Sequence, residues 1–416
     1  MPAILLIFWG EPPIIACFIA SISIALLAVN CNSFSKRLLF FLVAAYTVRF
    51  LFISADELFN IYPYAGDSPK YNLVAGRIIE NFRSQIPLFQ GIFESTSVKS
   101  YSLFISIFYY LFGQHEVLIR LINALLGIGA AVMVYKIANT IFESKTIAFR
   151  ASITTAFYPS IILFSCVNMR DSLILFLSFA MIYSFILAKA KKFRSIQTPL
   201  FIFIYLLTGY FRPQNWILFA LVFLAFIGYK IFYGGSSKQL KFIIFILLLT
   251  GLVTGFVKFY DEIFFYAVEY PTQQMPGRAV GGAAYLVGMQ YDSFQDILLF
   301  APIRFIYFTF GPFLWDVRNA FMFLSFFEAI FIMSLFYLTA KHFQSALDVQ
   351  KREIQIFLLI FGLFGLIANS IVDSNYGTAI RHRMIYIIPF IIFSCAYLSH
   401  YSCRNFVIRR IRCRPE

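Results

Sequence analysis

Long apolar runs, separated by short polar segments, extend along almost the whole chain. A helix rises roughly 1.5 Å per residue, so a run of about 20 residues crosses the roughly 30 Å hydrocarbon core of a bilayer. The pattern predicts spans at the following approximate positions: 13–30, 38–54, 117–138, 147–166, 171–188, 198–210, 215–233, 241–258, 320–340, 354–372 and 384–402. The segment 198–210 is the shortest of them.

Two further apolar stretches, 101–112 and 297–315, decide the orientation of the loops. If both cross the membrane fully, the basic loop at 189–194 falls outside, against the positive-inside rule. We therefore expect both stretches to be short, tilted or re-entrant. This threading defines three segments: a first external loop with an amphipathic helix at 55–99, a long external loop at 260–296 and a basic cytoplasmic tail at 403–416.

The composition agrees with this pattern. Hydrophobic residues make up 60% of the chain, charged residues only 13%, and the mean hydropathy is +0.78. These values predict an all-α polytopic membrane protein with about 11–13 transmembrane helices and external interfacial helices. The intervening loops are too short for a separate soluble domain, so we expect a single integral membrane domain over residues 1–416.

The positive charge points to membrane lipids as partners and excludes nucleic acid. The net charge is +14, but the basic residues fall in short loops between spans and in the tail. That distribution is typical of cytoplasmic loops rather than of a nucleic-acid surface. The six cysteines are scattered and predict neither a disulfide framework nor a metal site.

A helix is predicted directly after Asp67, in the first external loop. Asp67 or Ser68 can cap it, and Pro69 suits its first turn. Its apolar positions follow helical spacing: Tyr71, Val74, Ala75, Ile78, Ile79 and Phe82. Because charged residues occupy the opposite face, we expect this helix to lie in the membrane interface.

Polar, mostly charged residues stand at the ends of the predicted spans. An ionised group costs roughly 2.5–3.5 kcal/mol at the bilayer centre on insertion scales, so such residues usually line a functional site. In the preferred threading they share the external face: Asp67, Asp171, Arg212, Arg304, Arg381, His382 and Arg383. The pattern predicts one polar cavity at the outer membrane surface.

Five ordered stretches carry a resemblance to a known family: 67–75, 111–113 with 120–127, 158–160 leading to 170–172, 310–315, and 377–389 with its Arg-His-Arg sequence. On these stretches the chain resembles the glycosyltransferase C superfamily. It is most similar to the bacterial protein O-mannosyltransferase-like and aminoarabinose-transferase-like membrane enzymes. The resemblance implies a fold of the glycosyltransferase C type and a polyprenyl-phosphate-linked sugar as donor.

Two departures from the family pattern concern its first acidic motif and the segment that follows. Family members commonly have paired acidic residues after the first span, whereas the neighbour of Asp67 is Ser68. Asp56 and Glu57 form such a pair earlier in the chain, so either site is a candidate. The proline-rich start of the family's next segment is replaced by the sequence at 100–103.

The resemblance implies catalytic roles for Asp67 and Asp171. Asp67 would be the general base, as carboxylates can be when burial and neighbours tune their pKa, and Asp171 would orient the acceptor or the sugar hydroxyls. The alternatives are a helix cap for Asp67 and a local ion pair of Asp171 with Arg170. Isolated external carboxylates, Asp373 included, leave the binding of a divalent metal ion open.

The resemblance also implies a set of substrate-binding residues: Tyr71, Arg212, Arg304, Arg381, His382 and Arg383. A guanidinium can bind two phosphate oxygens at once. Arg381 and Arg383 are expected in a loop that enters a span, where the alternative is snorkelling to the interface. Arg212 precedes Pro213, so its alternative role is to cap the break between two spans.

We therefore expect an inverting glycosyltransferase of the cytoplasmic (inner) membrane. It would transfer a sugar from a polyprenyl-phosphate donor to a glycan, lipid or protein acceptor on the external or periplasmic face. One rival is a surface-polysaccharide polymerase or ligase that uses a polyprenyl-diphosphate-linked glycan. A rival of another class is a lipid flippase or transporter, against which stands the lack of an internal inverted repeat.

Overall fold

The computed structural model describes Ser21 and residues 35–62, 68–233, 282–289, 291, 294–345 and 351–412. Within these residues there are fourteen α-helices, one short 3₁₀ helix and no β-strand. The predicted all-α fold is confirmed. The chain divides into two compact units, Met1–Trp216 and Ile217–Glu416.

The described helices of the first unit are α1 (Lys36–Phe59), α2 (Ser68–Arg83), α3 (Thr96–Phe112), α4 (Glu116–Phe142), α5 (Lys145–Ala156), α6 (Pro159–Ser165), α7 (Asp171–Ala190) and α8 (Gln197–Phe211). Helix α4 is central, because it packs against α1, α5, α6 and α7. Helix α2 packs against α3, with the apolar stripe of α2 buried as far as Ile79 and Phe82 exposed.

The second unit contains most of α9 (Gln214–Tyr233), then α10 (Phe294–Phe310), the 3₁₀ helix Leu314–Asp316, α11 (Ala320–Ser345), α12 (Arg352–Val372), α13 (Tyr376–Tyr386) and α14 (Ile388–Arg412). Helix α12 packs against α10, α13 and α14. Aromatic pairs such as Phe219 with Phe361 and Phe223 with Phe357 join α9 to α12. Large apolar side chains therefore form the core of this unit.

Six described helices, α1, α4, α7, α9, α11 and α12, are long and apolar enough to cross a membrane. The number rises to eight if each of two bent helix pairs counts as one span. Helices α3 and α10 have 17 residues each, less than the roughly 20 residues of a full crossing. The predicted span 241–258 lies outside the described residues, as does 13–30 apart from Ser21.

The predicted span 147–166 corresponds to a bent pair of helices rather than to one continuous helix. Helices α5 and α6 are bent by 54° at Phe157 and Tyr158. Pro159 begins α6 and has no N–H group, and the residue before a proline is disfavoured in helical conformation. Tyr158 accordingly has extended backbone angles, with φ −66° and ψ 124°.

The predicted loop around Arg381 and Arg383 is also wrong, because both residues lie inside α13. This helix begins before the span predicted at 384–402, where the side chain of Asn375 accepts a 2.8 Å hydrogen bond from the Gly377 N–H. An Asn N-cap of this kind starts a helix independently of hydrophobicity. Helices α13 and α14 then meet at a 53° bend.

Arg49 stabilises the break between α5 and α6. Its side chain is completely buried, and its guanidinium donates to Ala156 O at 2.8 Å, Ser165 Oγ at 2.8 Å and Ala45 O at 2.9 Å. The last carbonyls of a helix lack intrahelical partners, and a bilayer core offers no water to replace them. Gly127 permits this close packing, since a Cβ there would lie 2.9 Å from Ser165 Cβ.

Replacing Arg49 with glutamine should lower the thermal stability of the detergent-solubilised protein. The loss follows because hydrogen bonds to charged groups contribute about 1.5–3 kcal/mol each, and glutamine cannot reach all of the Arg49 acceptors. The matched control is Lys36→Gln, at an exposed position of the same helix. Equal melting temperatures for the two variants would contradict the bracing role of Arg49.

Candidate functional site

Two of the predicted site residues, Asp171 and Arg212, are brought together in the first unit. Asp171 begins α7 and is 2% exposed, and Arg212 directly follows α8 and is also buried. Arg212 Nη1 lies 3.9 Å from Asp171 Oδ1. A buried carboxylate with an arginine beside it keeps its charge more easily than an isolated one.

Two further donors stand next to this pair in the chain. Arg170 Nη1 and Asn215 Nδ2 are buried and have no hydrogen-bond partner among the described residues. Asn215, which is 2% exposed, is tied to Arg212 by a 2.8 Å hydrogen bond from its N–H to Arg212 O. A buried donor without an acceptor costs about 1–3 kcal/mol. This arrangement therefore favours a ligand that brings acceptor oxygens.

The turn between α8 and α9 holds Arg212 and Asn215 in place. Trp216 packs across the turn onto Gly209, where a Cβ would lie 1.8 Å from the indole ring. The indole Nε1 donates to Leu206 O at 3.3 Å, and Tyr205 OH donates to Trp216 O at 3.0 Å. Glycine at this position is what allows the close approach of Trp216.

Asp56 and Glu57, the alternative first acidic motif, lie in the last turn of α1 and are held by Arg120. Arg120 donates to Asp56 Oδ2 at 2.6 Å and to Glu57 Oε1 at 2.7 Å. Its Nε also donates to Cys166 O at 2.7 Å. One guanidinium thus links this acidic pair to the segment that precedes Asp171. Asp67 lies outside the described residues.

Tyr71, a predicted substrate-binding residue, is buried where α2 packs on α3. Its ring lies edge-to-face against the ring of Tyr101, with centroids 4.8 Å apart, and its carbonyl accepts a 3.1 Å hydrogen bond from Ser102 Oγ. Both contacts fix the first turn of α2. The structure therefore places Tyr71 where it positions the helix that follows Asp67.

Sequence reasoning missed a group of amides that contact one another or the segment preceding Asp171: Asn123 and Asn168, which are buried, and Asn72, which is half-buried. Asn123 Nδ2 donates to Val167 O at 2.8 Å and to Met169 O at 3.0 Å. An amide in the middle of a predicted span at 117–138 was the available signal, because such a group needs partners inside the protein.

In the second unit, Arg304 is fully buried against the end of α12. It donates to Ser370 O at 3.3 Å, Asp373 O at 2.9 Å and Ser374 Oγ at 2.6 Å, and to Met289 O at 3.4 Å. These contacts satisfy carbonyls that the helix end leaves without partners. The observed role of Arg304 is to join α10 to the end of α12.

Arg383 is equally buried and faces the end of α10. Its Nη1 donates to Phe308 O at 3.2 Å, to Thr309 O at 3.3 Å and to Gly311 O. Its Nη2 lies 3.5 Å from Glu328 Oε1. Arg383, like Arg304, caps carbonyl groups at the end of a helix.

His382 is paired with Asp373, a contact that sequence reasoning did not predict. Its Nδ1 lies 2.6 Å from Asp373 Oδ2, and both side chains are buried. Tyr285 OH donates to Asp373 O at 2.7 Å, and burial raises the pKa of Tyr285, so the phenol keeps its proton. Arg381, on the same helix as His382, is only half-buried.

Within the described part of the chain, no group of three or more His, Cys, Asp or Glu side chains is arranged to hold a metal ion. The carboxylates that the sequence analysis considered as metal ligands have different neighbours. Asp171 is beside Arg212 and Asp373 is beside His382, while Asp67 is outside the described residues.

A family profile described as dolichyl-phosphate-mannose-protein mannosyltransferase matches residues 100–258, less than half of the chain. No curated protein matches the sequence. The profile match confirms the predicted resemblance to the glycosyltransferase C superfamily. Together with the apolar helices it supports a multi-pass membrane glycosyltransferase of the C type. The matched range contains Asp171, Arg212 and Asn215.

Lysine variants should separate the neighbouring arginines Arg381 and Arg383. Lysine keeps the charge but cannot reproduce the planar donor fork. Arg383→Lys should lower the melting temperature, because carbonyls at the end of α10 lose donors.

Arg381→Lys should leave the melting temperature unchanged and lower glycosyl transfer about tenfold, or roughly 1.4 kcal/mol. Parental transfer by Arg381→Lys would identify Arg381 as an anchor, and an unchanged melting temperature for Arg383→Lys would contradict the capping role.

Proposed function

We propose that this membrane glycosyltransferase is an inverting enzyme that takes its sugar from a polyprenyl-phosphate donor. The acceptor is a glycan, lipid or protein at the external face of the cytoplasmic membrane. The observation that carries the proposal is the buried Asp171–Arg212 pair, together with the buried donors of Arg170 and Asn215, which are close to it in the chain. This cluster lies within the profile match, whose description names dolichyl phosphate and mannose.

Arg212, Arg170 and Asn215 are suited to the phosphate of the donor. As the glycosidic bond breaks, negative charge develops on the departing phosphate, and preorganised donors stabilise that charge most in a water-poor site. Arg170 and Asn215 also stand at the starts of α7 and α9, where the helix dipole favours an anion. A lipid-linked phosphate would supply the acceptors that the two buried donors lack.

The proposed reaction is a direct displacement at the anomeric carbon. The acceptor oxygen forms a bond to this carbon while the bond from the carbon to the phosphate oxygen breaks. The electron pair leaves with the polyprenyl phosphate, and the acceptor proton passes to a carboxylate. Attack from the face opposite the leaving group inverts the configuration.

Asp171 is assigned to orient the acceptor or the sugar hydroxyls, since it lies directly beside the proposed phosphate donors. Asp67 is assigned as the general base, a role that positioned carboxylates commonly serve. Asp56 is the alternative base, and its ion pair with Arg120 fixes its position relative to Cys166.

The family resemblance also assigns roles to residues of the second unit. Arg381 and His382 are assigned to substrate binding, and Asp373 holds the imidazole of His382 in one orientation. Arg304 and Arg383 support the helix ends around these residues through their carbonyl contacts.

Cells that lack the protein should accumulate a monosaccharide-phosphate lipid, because the donor is no longer consumed. The parental gene should clear it, as should the Glu94→Gln control, which removes a half-buried carboxylate that pairs with Lys70. The Asp171→Asn variant should not clear it, since loss of a group that orients the reactants costs on the order of 10² in rate. Thin-layer chromatography and mass spectrometry of extracted lipids give the measurement. Accumulation of diphosphate-linked repeat units would instead identify a polymerase or ligase, and an unchanged lipid profile would contradict both.

The external placement of the first loop is tested by single cysteines at positions 93 and 192. Phe93 lies in the 55–99 loop and is 98% exposed, whereas Lys192 lies in a basic loop that the positive-inside rule places in the cytoplasm. In cells with a permeabilised outer layer, a membrane-impermeant maleimide should label Phe93→Cys and not Lys192→Cys. The reverse pattern would place the proposed site on the cytoplasmic face.

A further inference from the structure

The segment that leads to Asp171, residues 166–170, has no regular secondary structure. Its backbone is held by side chains from other helices. Arg120 binds Cys166 O at 2.7 Å, and Asn123 binds Val167 O at 2.8 Å and Met169 O at 3.0 Å. Such contacts replace the hydrogen bonds that a helix would make internally.

The side chain of Asn168 extends these contacts to α2. Asn168 Nδ2 donates to Asn72 Oδ1 at 2.6 Å, and Asn168 Oδ1 accepts from Tyr101 OH at 3.2 Å. Tyr109 OH donates to the same Asn72 Oδ1 at 2.7 Å. Asn168 is 1% exposed, so its amide depends on protein partners alone.

Asn72 also connects to the start of α2 through Glu116. The amide Nδ2 of Asn72 donates to one carboxylate oxygen of Glu116, and Ser68 Oγ donates to the other. Ser68 is the first residue of α2 and directly follows Asp67. Glu116 is in the first turn of α4, where the helix dipole stabilises its negative charge.

We propose that Asn72 and Asn168 are positioning residues, which set the start of α2 relative to Asp171 in the glycosyl transfer proposed above. The inference rests on that proposed function and adds residues that it does not require. The hydrogen bond between the two amides links α2 directly to the segment that precedes Asp171.

Docking of α2 does not depend on this link. Helix α2 already packs on α3 through buried residues that include Tyr71, Val74, Ala75 and Ile78. Loss of the Asn72 side chain should therefore leave the helix in place. The loss should instead shift the first turn of α2 and the orientation of Asn168. Small displacements of positioned groups can lower the rate of the catalysed reaction strongly.

The test compares Asn72→Ala with Asn81→Ala, a matched control on the same helix. Asn81 Nδ2 donates to Leu88 O at 3.1 Å and Gln90 O at 3.0 Å, so its bonds stabilise only the local loop. The purified full-length protein is assayed with the lipid-linked sugar that accumulates in cells without it. Melting temperature, kcat and KM for this donor are measured for each variant.

Asn72→Ala should lower the kcat of the folded enzyme by on the order of tenfold to a hundredfold and leave KM close to the parental value. Its melting temperature should fall as well, because the buried amide of Asn168 loses its acceptor. Asn168→Ala should do the same, and the double variant should be no slower than the slower single variant, because both act through one hydrogen bond. Asn81→Ala should lower the melting temperature and leave kcat unchanged.

Parental kcat in Asn72→Ala would overturn the inference while leaving the proposed function intact. The same holds if kcat falls only in proportion to a loss of folded protein, as a purely structural role requires. Multiplicative losses in the double variant would show that the two amides act separately and would also overturn it. If the parental protein itself transfers no sugar from this donor, the proposed function is wrong and the inference falls with it.

Discussion

Unsatisfied carbonyl groups at helix ends, in surroundings that exclude water, are the constraint on which the rest of this structure depends. The described part of the chain meets it repeatedly with arginine. Each of these side chains donates to main-chain carbonyls at or just beyond the end of a helix or at a break: Arg49 to Ala156, Arg120 to Cys166, Arg304 to Ser370 and Asp373, and Arg383 to Phe308 and Thr309. A guanidinium has five donors and never loses its charge, so one side chain can satisfy several carbonyls.

These arginine contacts stabilise broken helices in an apolar core. The breaks in turn determine where Asp171 lies. The break before Pro159 ends α5 at Ala156, α6 ends at Ser165, and the irregular segment 166–170 then leads to Asp171 at the start of α7. Without the donors of Arg49, Arg120 and Asn123, the carbonyls of this region would be buried without partners. The position of Asp171 is therefore a consequence of how the preceding breaks are satisfied.

Arginines that cap carbonyls differ from the arginine beside Asp171. Arg304 and Arg383 each donate several hydrogen bonds to main-chain oxygens. These contacts are typical of a structural role. Arg212 lies 3.9 Å from a carboxylate, longer than the roughly 2.7–2.9 Å of a charge-assisted hydrogen bond. Its neighbours Arg170 and Asn215 have buried donors without acceptors among the described residues. Buried donors without acceptors indicate a candidate anion site, whereas arginines whose donors bind carbonyls have a structural role. Net charge does not separate the two cases.

The amino-acid sequence by itself determined the membrane class, the helical nature of the chain and most of the described helices, because long apolar runs require helical hydrogen bonding in lipid. It also determined the resemblance to the glycosyltransferase C superfamily, and Pro159 marked a break that the predicted span 147–166 ignored. Only the tertiary structure decided the role of each charged residue. Arg381 and Arg383 are almost adjacent and look alike in sequence, yet Arg383 binds carbonyls near Gly311 while Arg381 is half-buried. The pairing of His382 with Asp373 and of Asn72 with Asn168 was likewise invisible. The physical reason is that the role of a polar side chain depends on the acceptors within hydrogen-bond distance, and packing brings these from distant parts of the chain.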